Sequence, residues 1–147
     1  MRSATLIILF IHSAFFAAAQ KTGEIRSIET ALNEEYSSGI FKTTDGTVIP
    51  VEGTPGINSY INILNFLQGR VAGLRVQTTR NNILIPVIRG QQATLFVDEL
   101  QVTPGYLSAL PVSDIAMAKI FKTPLSLSPN NAPAIAIYLI RPAEKEE

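Results

Sequence analysis

The sequence predicts an α+β domain: a small mixed sheet of about four to five strands with two or three helices packed on it. Three observations point there. Tyr60, Ile63, Leu64, Leu67 and Val71 recur at helical spacing and run into Gly73, which reads as a left-handed stop. Short β-prone runs follow at once: Leu74 to Gln77, Ile83 to Ile88 and Thr94 to Asp98. Finally, Ala134 to Ile140 alternates two apolar sets, with Ile135, Ile137 and Leu139 on one face and Ala136, Tyr138 and Ile140 on the other.

Taken from its start, the chain opens with Arg2, an apolar stretch from Ala4 to Phe16 and the small-residue site Ala17-Ala18-Ala19. That is the pattern of a secretory signal peptide over 1–19, and it places the protein outside the cytoplasm, in the periplasm or against the outer membrane. Glu24 to Tyr36 follows as an amphipathic helix, with Ile25, Ile28, Leu32 and Tyr36 on one side and Gly39 as its stop. Asp45-Gly46 between two β-prone runs predicts a hairpin over Ile40 to Ile49. Pro50 to Gly56 reads as a loop.

The central helix is expected from Asn58 to about Val71, capped by Asn58 or Ser59. In the second strand Pro86 has no N–H to donate, so a bulge or an edge is expected there. Thr103-Pro104 reads as a cap followed by proline at the first helical position. Ser113-Asp114 reads as a second short cap, leading into a strand over Ala118 to Lys122. Pro124 to Pro133 is a loop, and 142–147 a solvated tail. Leu67, Ile88, Phe96 and Ile137 are expected to share one interior.

Composition limits the chemistry. The sequence has 12 Lys+Arg, 12 Asp+Glu, one histidine and no cysteine. The histidine, His12, lies in the signal stretch, so a processed chain lacks the usual general base, thiol nucleophile and common zinc ligands. Loss of Arg2 leaves one more acidic than basic residue, so no broad basic field draws nucleic acid. No serine sits in a nucleophile elbow, and Gly69 and Gly73 lack the lysine of a phosphate loop. The expectation is a protein without catalytic residues, metal or cofactor.

Several phrases carry a resemblance. Leu67-Gln68-Gly69-Arg70-Val71-Ala72-Gly73-Leu74, Ile88-Arg89-Gly90 and Leu95-Phe96-Val97-Asp98 resemble the plug domain of TonB-dependent outer-membrane receptors. Pro111 to Ile115 with Lys119 to Lys122, and Ala134 to Ile140, are similar to that family's later steps. Tyr36 to Phe41 and Ser113 to Ala116 are also similar to stand-alone plug-like modules of exported macroglobulin-type or carboxypeptidase-regulatory-like proteins. The resemblance covers about 57–141 and implies a plug-like fold. Thr123 stands where the family has glycine, and no barrel follows Glu147, so import through a pore is not carried over. The domain organisation is thus 1–19 signal peptide, 20–56 helix and hairpin or linker, 57–141 plug-like domain and 142–147 tail.

Among candidate site residues, Asp98 and Glu99, with Glu52 or Asp114, could pair as carboxylates or hold a hard cation. The competing reading, which carries more weight, is that Asp98 takes turn hydrogen bonds. Arg89-Gly90 is either an anion clamp or a turn with Gly90 at positive φ, the turn being favoured. Arg70, Arg75 and Arg80 fall five apart and share no helix face. Arg70, Arg89, Gly90, Asp98, Glu99 and Asp114 are therefore interaction candidates. The expected function is a non-enzymatic, envelope interaction module associated with outer-membrane transport, its partner an outer-membrane barrel or another exported protein. Docking is expected by strand addition at the edge left by Pro86 or at the last strand. The rival reading is a periplasmic small-ligand protein for sugar or siderophore, with its pocket between the central helix and the sheet.

Overall fold

The computed structural model describes residues 26–142. The signal-peptide stretch and the tail beyond Pro142 lie outside them. The described chain runs as helix α1 (26–36), α2 (Gly39–Thr43), β1 (Thr47–Pro50), α3 (Ile63–Gln68), β2 (Leu74–Thr78), β3 (Leu84–Ile88), β4 (Gln91–Gln92), β5 (Thr94–Val97), β6 (Leu100–Val102), α4 (Pro104–Ala109), β7 (Ile115–Phe121) and β8 (Ala134–Leu139). The class is α+β as expected. The main mixed sheet has five strands in the order β1-β7-β8-β5-β6, and β2-β3-β4 form a second, three-stranded sheet. No described helix is long and apolar enough to cross a membrane.

The main sheet is apolar on both faces. β8 alternates as its sequence predicts: Ile135 and Ile137 enter one core, Ala134, Ala136 and Tyr138 the other. All seven residues of β7 are buried, so polar alternation is lost, as a doubly covered strand requires. A register shift between Ile115 and Met117 puts both Ala116 and Met117 into the second core. The freed Ala116 carbonyl accepts from Val51 N and Glu52 N, both at 3.0 Å.

One face packs on α3, α4 and the second sheet, with Leu64, Leu67, Ile88, Leu107 and Ile137 fully buried together. The other face packs on α1 and α2 through Tyr36 and Phe41. Phe41 meets Phe96 and Phe121 edge-to-face, with centroids 5.0 and 6.0 Å apart. This corrects the expected interior: Leu67, Ile88 and Ile137 share one core, but Phe96, alternating with Leu95 and Val97, lies on the other side of the sheet.

Other expectations are corrected locally. Residues 40–49 form no hairpin: 39–43 are helical, and β1 pairs with β7 in the register Thr47↔Ile120. Gly46 is needed for approach rather than turning, since a Cβ there would stand 3.1 Å from the Ile120 carbonyl and from Lys119 Cε. Gly39 does not end the first helical segment but opens α2. The central helix is short, because Ile57–Ser59 is a separate 3₁₀ turn and Asn62 is the true cap. Asn62 Oδ1 accepts from Leu64 N at 2.8 Å, and its amide donates to the Ser108 carbonyl at 3.2 Å. Thr103 caps α4 ahead of Pro104 as expected. Pro86 makes no bulge: it pairs with Val76 in continuous register, and its missing N–H faces the side where β4 has already ended. The last strand offers no edge, because β7 and β5 flank it.

If α2 is part of the fold rather than linker, Phe41→Ala should cost about 3–5 kcal/mol in urea unfolding. The transition should shift as a single step; a loss below about 1 kcal/mol would place α2 outside the cooperative unit.

Candidate functional site

Asp98 and Glu99 form the two-residue turn between β5 and β6, both at positive φ (45° and 68°). Their carboxylates diverge. Asp98 Oδ1 accepts from Leu139 N at 3.1 Å, and Asp98 N donates to the Ile137 carbonyl at 2.9 Å, so Asp98 binds the end of β8. Glu99 turns toward α2: its carboxylate accepts from Ser38 N at 2.6 Å, from the Ser38 hydroxyl and from Tyr138 OH at 3.3 Å. The carboxylate pair is therefore not assembled. Asp114 sits beyond the same strand end. Its carbonyl accepts from Ile140 N, and its carboxylate from Ser113 Oγ at 3.1 Å. Among the described residues no three His, Cys, Asp or Glu side chains converge as metal ligands would.

The sequence reading missed two anchors. Lys119, in the middle of β7, is only 2% exposed. Its ammonium donates to Asn33 Oδ1 at 2.7 Å, to the Phe41 carbonyl at 2.6 Å and to the Lys42 carbonyl at 3.3 Å. Burial lowers its pKa, and the fields of Asp45 and Glu99 work in the opposite direction. With every donor aimed at α1 and α2, Lys119 is a tie between the helices and the sheet. Arg141 is the other anchor: it donates to the Glu35 and Tyr36 carbonyls at 2.9 and 3.0 Å and lies over the Tyr36 ring. The only hint of either in the sequence was a lysine inside an otherwise apolar strand.

The arginine candidates lie on the other side of the molecule. Arg70 stacks on Phe66, its guanidinium carbon 3.8 Å from the ring centroid, and donates to the Phe66 carbonyl and Tyr60 OH. Arg89 and Gly90 (φ 52° and 86°) make the turn from β3 to β4, and Arg89 N donates to the Gly73 carbonyl at 3.1 Å. Arg75 and Arg89 flank a hollow of about 370 Å³ over Val87 on the outer face of the three-stranded sheet. A larger hollow of about 540 Å³ opens beside β4, β5 and β6, bounded by Pro129 and Asn130 and lined by no charged side chain. The space between α3 and the sheet, where a ligand pocket was expected, is filled by Leu64, Leu67 and Ile88.

No protein-family model matches the chain, and no curated protein matches it significantly. Its fold is found among solved structures. Over 71% of this chain it is similar to a chain of the RagAB peptide transporter, with TM-score 0.52 and 20% identity. Over 70% it is similar to a chain of the RagAB peptide importer in the open-open state, with TM-score 0.51 and 16% identity. In both cases the match spans 13% of the other chain. At such identity the likeness is one of fold.

Tyr138 links the anchors to pH. Burial raises its pKa above 10.0, and the neighbouring Glu99 carboxylate adds to the rise. The raised folded value means that its stabilising contribution is complete below pH 10.0 and is lost as pH climbs above it, where only the unfolded chain ionises freely. The urea midpoint should therefore fall from pH 9 to pH 11, and Tyr138→Phe should flatten part of that fall; equal slopes in the two proteins would contradict the assignment.

Proposed function

We propose that the protein is a non-enzymatic, exported interaction module of the cell envelope, associated with outer-membrane transport. The observation that carries this reading is the agreement of the sequence phrases with the fold. The plug-like phrases of the sequence fall on α3 to β2, the β3–β4 turn, β5 and its turn, β7 and β8. The fold of this chain, over 71% of its length, is similar to part of a chain of the RagAB peptide transporter. Asp98, Glu99, Asp114 and Arg70 hold the chain to itself, so contact with a partner falls to other residues. The partner fits an outer-membrane barrel or another exported protein. Chemical crosslinking of the tagged full chain in envelope fractions, followed by mass spectrometry, should recover a barrel or exported protein that is absent from a Phe41→Ala control. Recovery of neither, from wild-type protein that is folded, contradicts the reading.

The second reading, a small-ligand protein, draws on the 540 Å³ hollow, where Gln91, Gln92, Gln101 and Asn130 offer amide donors and acceptors suited to a sugar. A thermal-shift series separates the two. A sugar bound there at a hundred times its Kd adds about 2.7 kcal/mol of stability, and a flat series across sugars and chelated iron removes this reading.

A further inference from the structure

Between Glu52 and Asp98 the chain has four arginines, Arg70, Arg75, Arg80 and Arg89, and no acidic residue or lysine. This stretch builds the whole of the three-stranded sheet. Among the described residues none of the four forms an ion pair; the one salt bridge there joins Lys42 to Glu34. Two of the four, Arg75 on β2 and Arg89 at the β3–β4 turn, thus sit on the small sheet with no salt bridge among the described residues.

The same sheet has an open edge. Among the described residues β2 pairs only with β3. The register Arg75↔Val87 and Gln77↔Ile85, with Arg89 N donating to the Gly73 carbonyl and Thr79 N to the Ile83 carbonyl, turns the odd-numbered residues of β2 inward. Val76 and Thr78 therefore direct their N–H and C=O groups outward, where no strand of the described residues meets them. Arg75, Gln77 and Thr78 are exposed, and Val76 is half-buried on the core side. The other edges are poorer templates. β6 is three residues long, and β1 ends in Pro50.

We propose that β2 accepts an extended acidic segment of a protein partner as a fourth strand, with its carboxylates set against Arg75 and, across the hollow over Val87, Arg89. This rests on the envelope-interaction reading and names the docking element and the partner's chemistry. The outward main-chain groups repeat at strand spacing, which suits another strand and not a headgroup. The hollow between the two arginines is floored by Val87 and lined by no carboxylate, and Asp45 lies on the other side of Arg89 across a second hollow, so an acidic strand meets Arg75 as the freer charge and Arg89 beside it.

The probe is a fluorescent, end-blocked peptide, Thr-Glu-Val-Glu-Val-Asp-Thr, titrated with the purified full chain and followed by anisotropy. A control peptide carries lysine at the three acidic positions. Saturable binding of the acidic peptide that weakens with added salt is expected, with none of the control. Arg75→Gln with Arg89→Gln should weaken it about tenfold through loss of charge-assisted bonds. Val76→Pro removes an outward donor without breaking the β2–β3 ladder and should weaken it about as much, roughly tenfold. Amide spectra report folding of both variants, and on binding by wild type the Val76 and Thr78 amides should gain protection from solvent exchange. No binding, equal binding of the lysine control, or full binding by a folded Val76→Pro protein overturns the proposal. So does Arg-dependent pelleting with phosphatidylglycerol vesicles that Val76→Pro leaves unchanged, which would make the face a polyanion surface. An envelope partner captured equally by wild type and both variants sinks this docking site and leaves the envelope reading standing. Peptide binding as described with no envelope partner does the reverse.

Discussion

A sheet that is apolar on both faces has to be covered twice, and the rest of this structure follows from that. β7 and β8 sit in the middle of five strands with nearly every side chain buried. Burial at about 25 cal/mol per Å² favours covering both faces, and neither could face water without exposing a continuous apolar surface. α3, α4 and the three-stranded sheet cover one side, α1 and α2 the other. The second cover comes from residues before 47, with Tyr36 of α1 and Phe41 of α2 packed in the second core.

Three polar ties hold that second cover in place. Lys119 reaches from β7 to the end of α2, Glu99 from the β5–β6 turn to Ser38, and Arg141 from beyond β8 to the last carbonyls of α1. Each satisfies main-chain groups where a helix ends, which packing alone leaves open. Lys119 has the highest stakes. A buried ammonium tolerates its desolvation only because its donors all find oxygen.

The parts of the fold legible in the sequence were those governed by local periodicity. β8, β2, β5 and the Thr103-Pro104 cap follow from alternation and capping chemistry that a few neighbouring residues contain. Elements fixed by distant partners were not legible. Asp45-Gly46 looks like a hairpin turn, yet Gly46 is there so that β1 can lie against β7, more than seventy residues away. The central helix starts at Asn62 because that side chain also answers the Ser108 carbonyl on α4. Lys119 and Glu99 reveal their roles only through partners on α1 and α2. The opposed directions of Asp98 and Glu99 likewise come from a turn with both residues at positive φ, which the dipeptide alone does not specify.

The molecule works, on this account, as one body with a shielded interior and its chemistry on the outside: an arginine-bearing sheet at one end and anchored helices at the other. The unity of that body is open to direct measurement. Native-state hydrogen exchange on the intact chain should show the amides of α2 opening together with those of β7 and β8, at the free energy of global unfolding. Exchange of residues 39–43 at nearly unprotected rates while β7 and β8 stay closed would contradict it, leaving a sheet with one bare face.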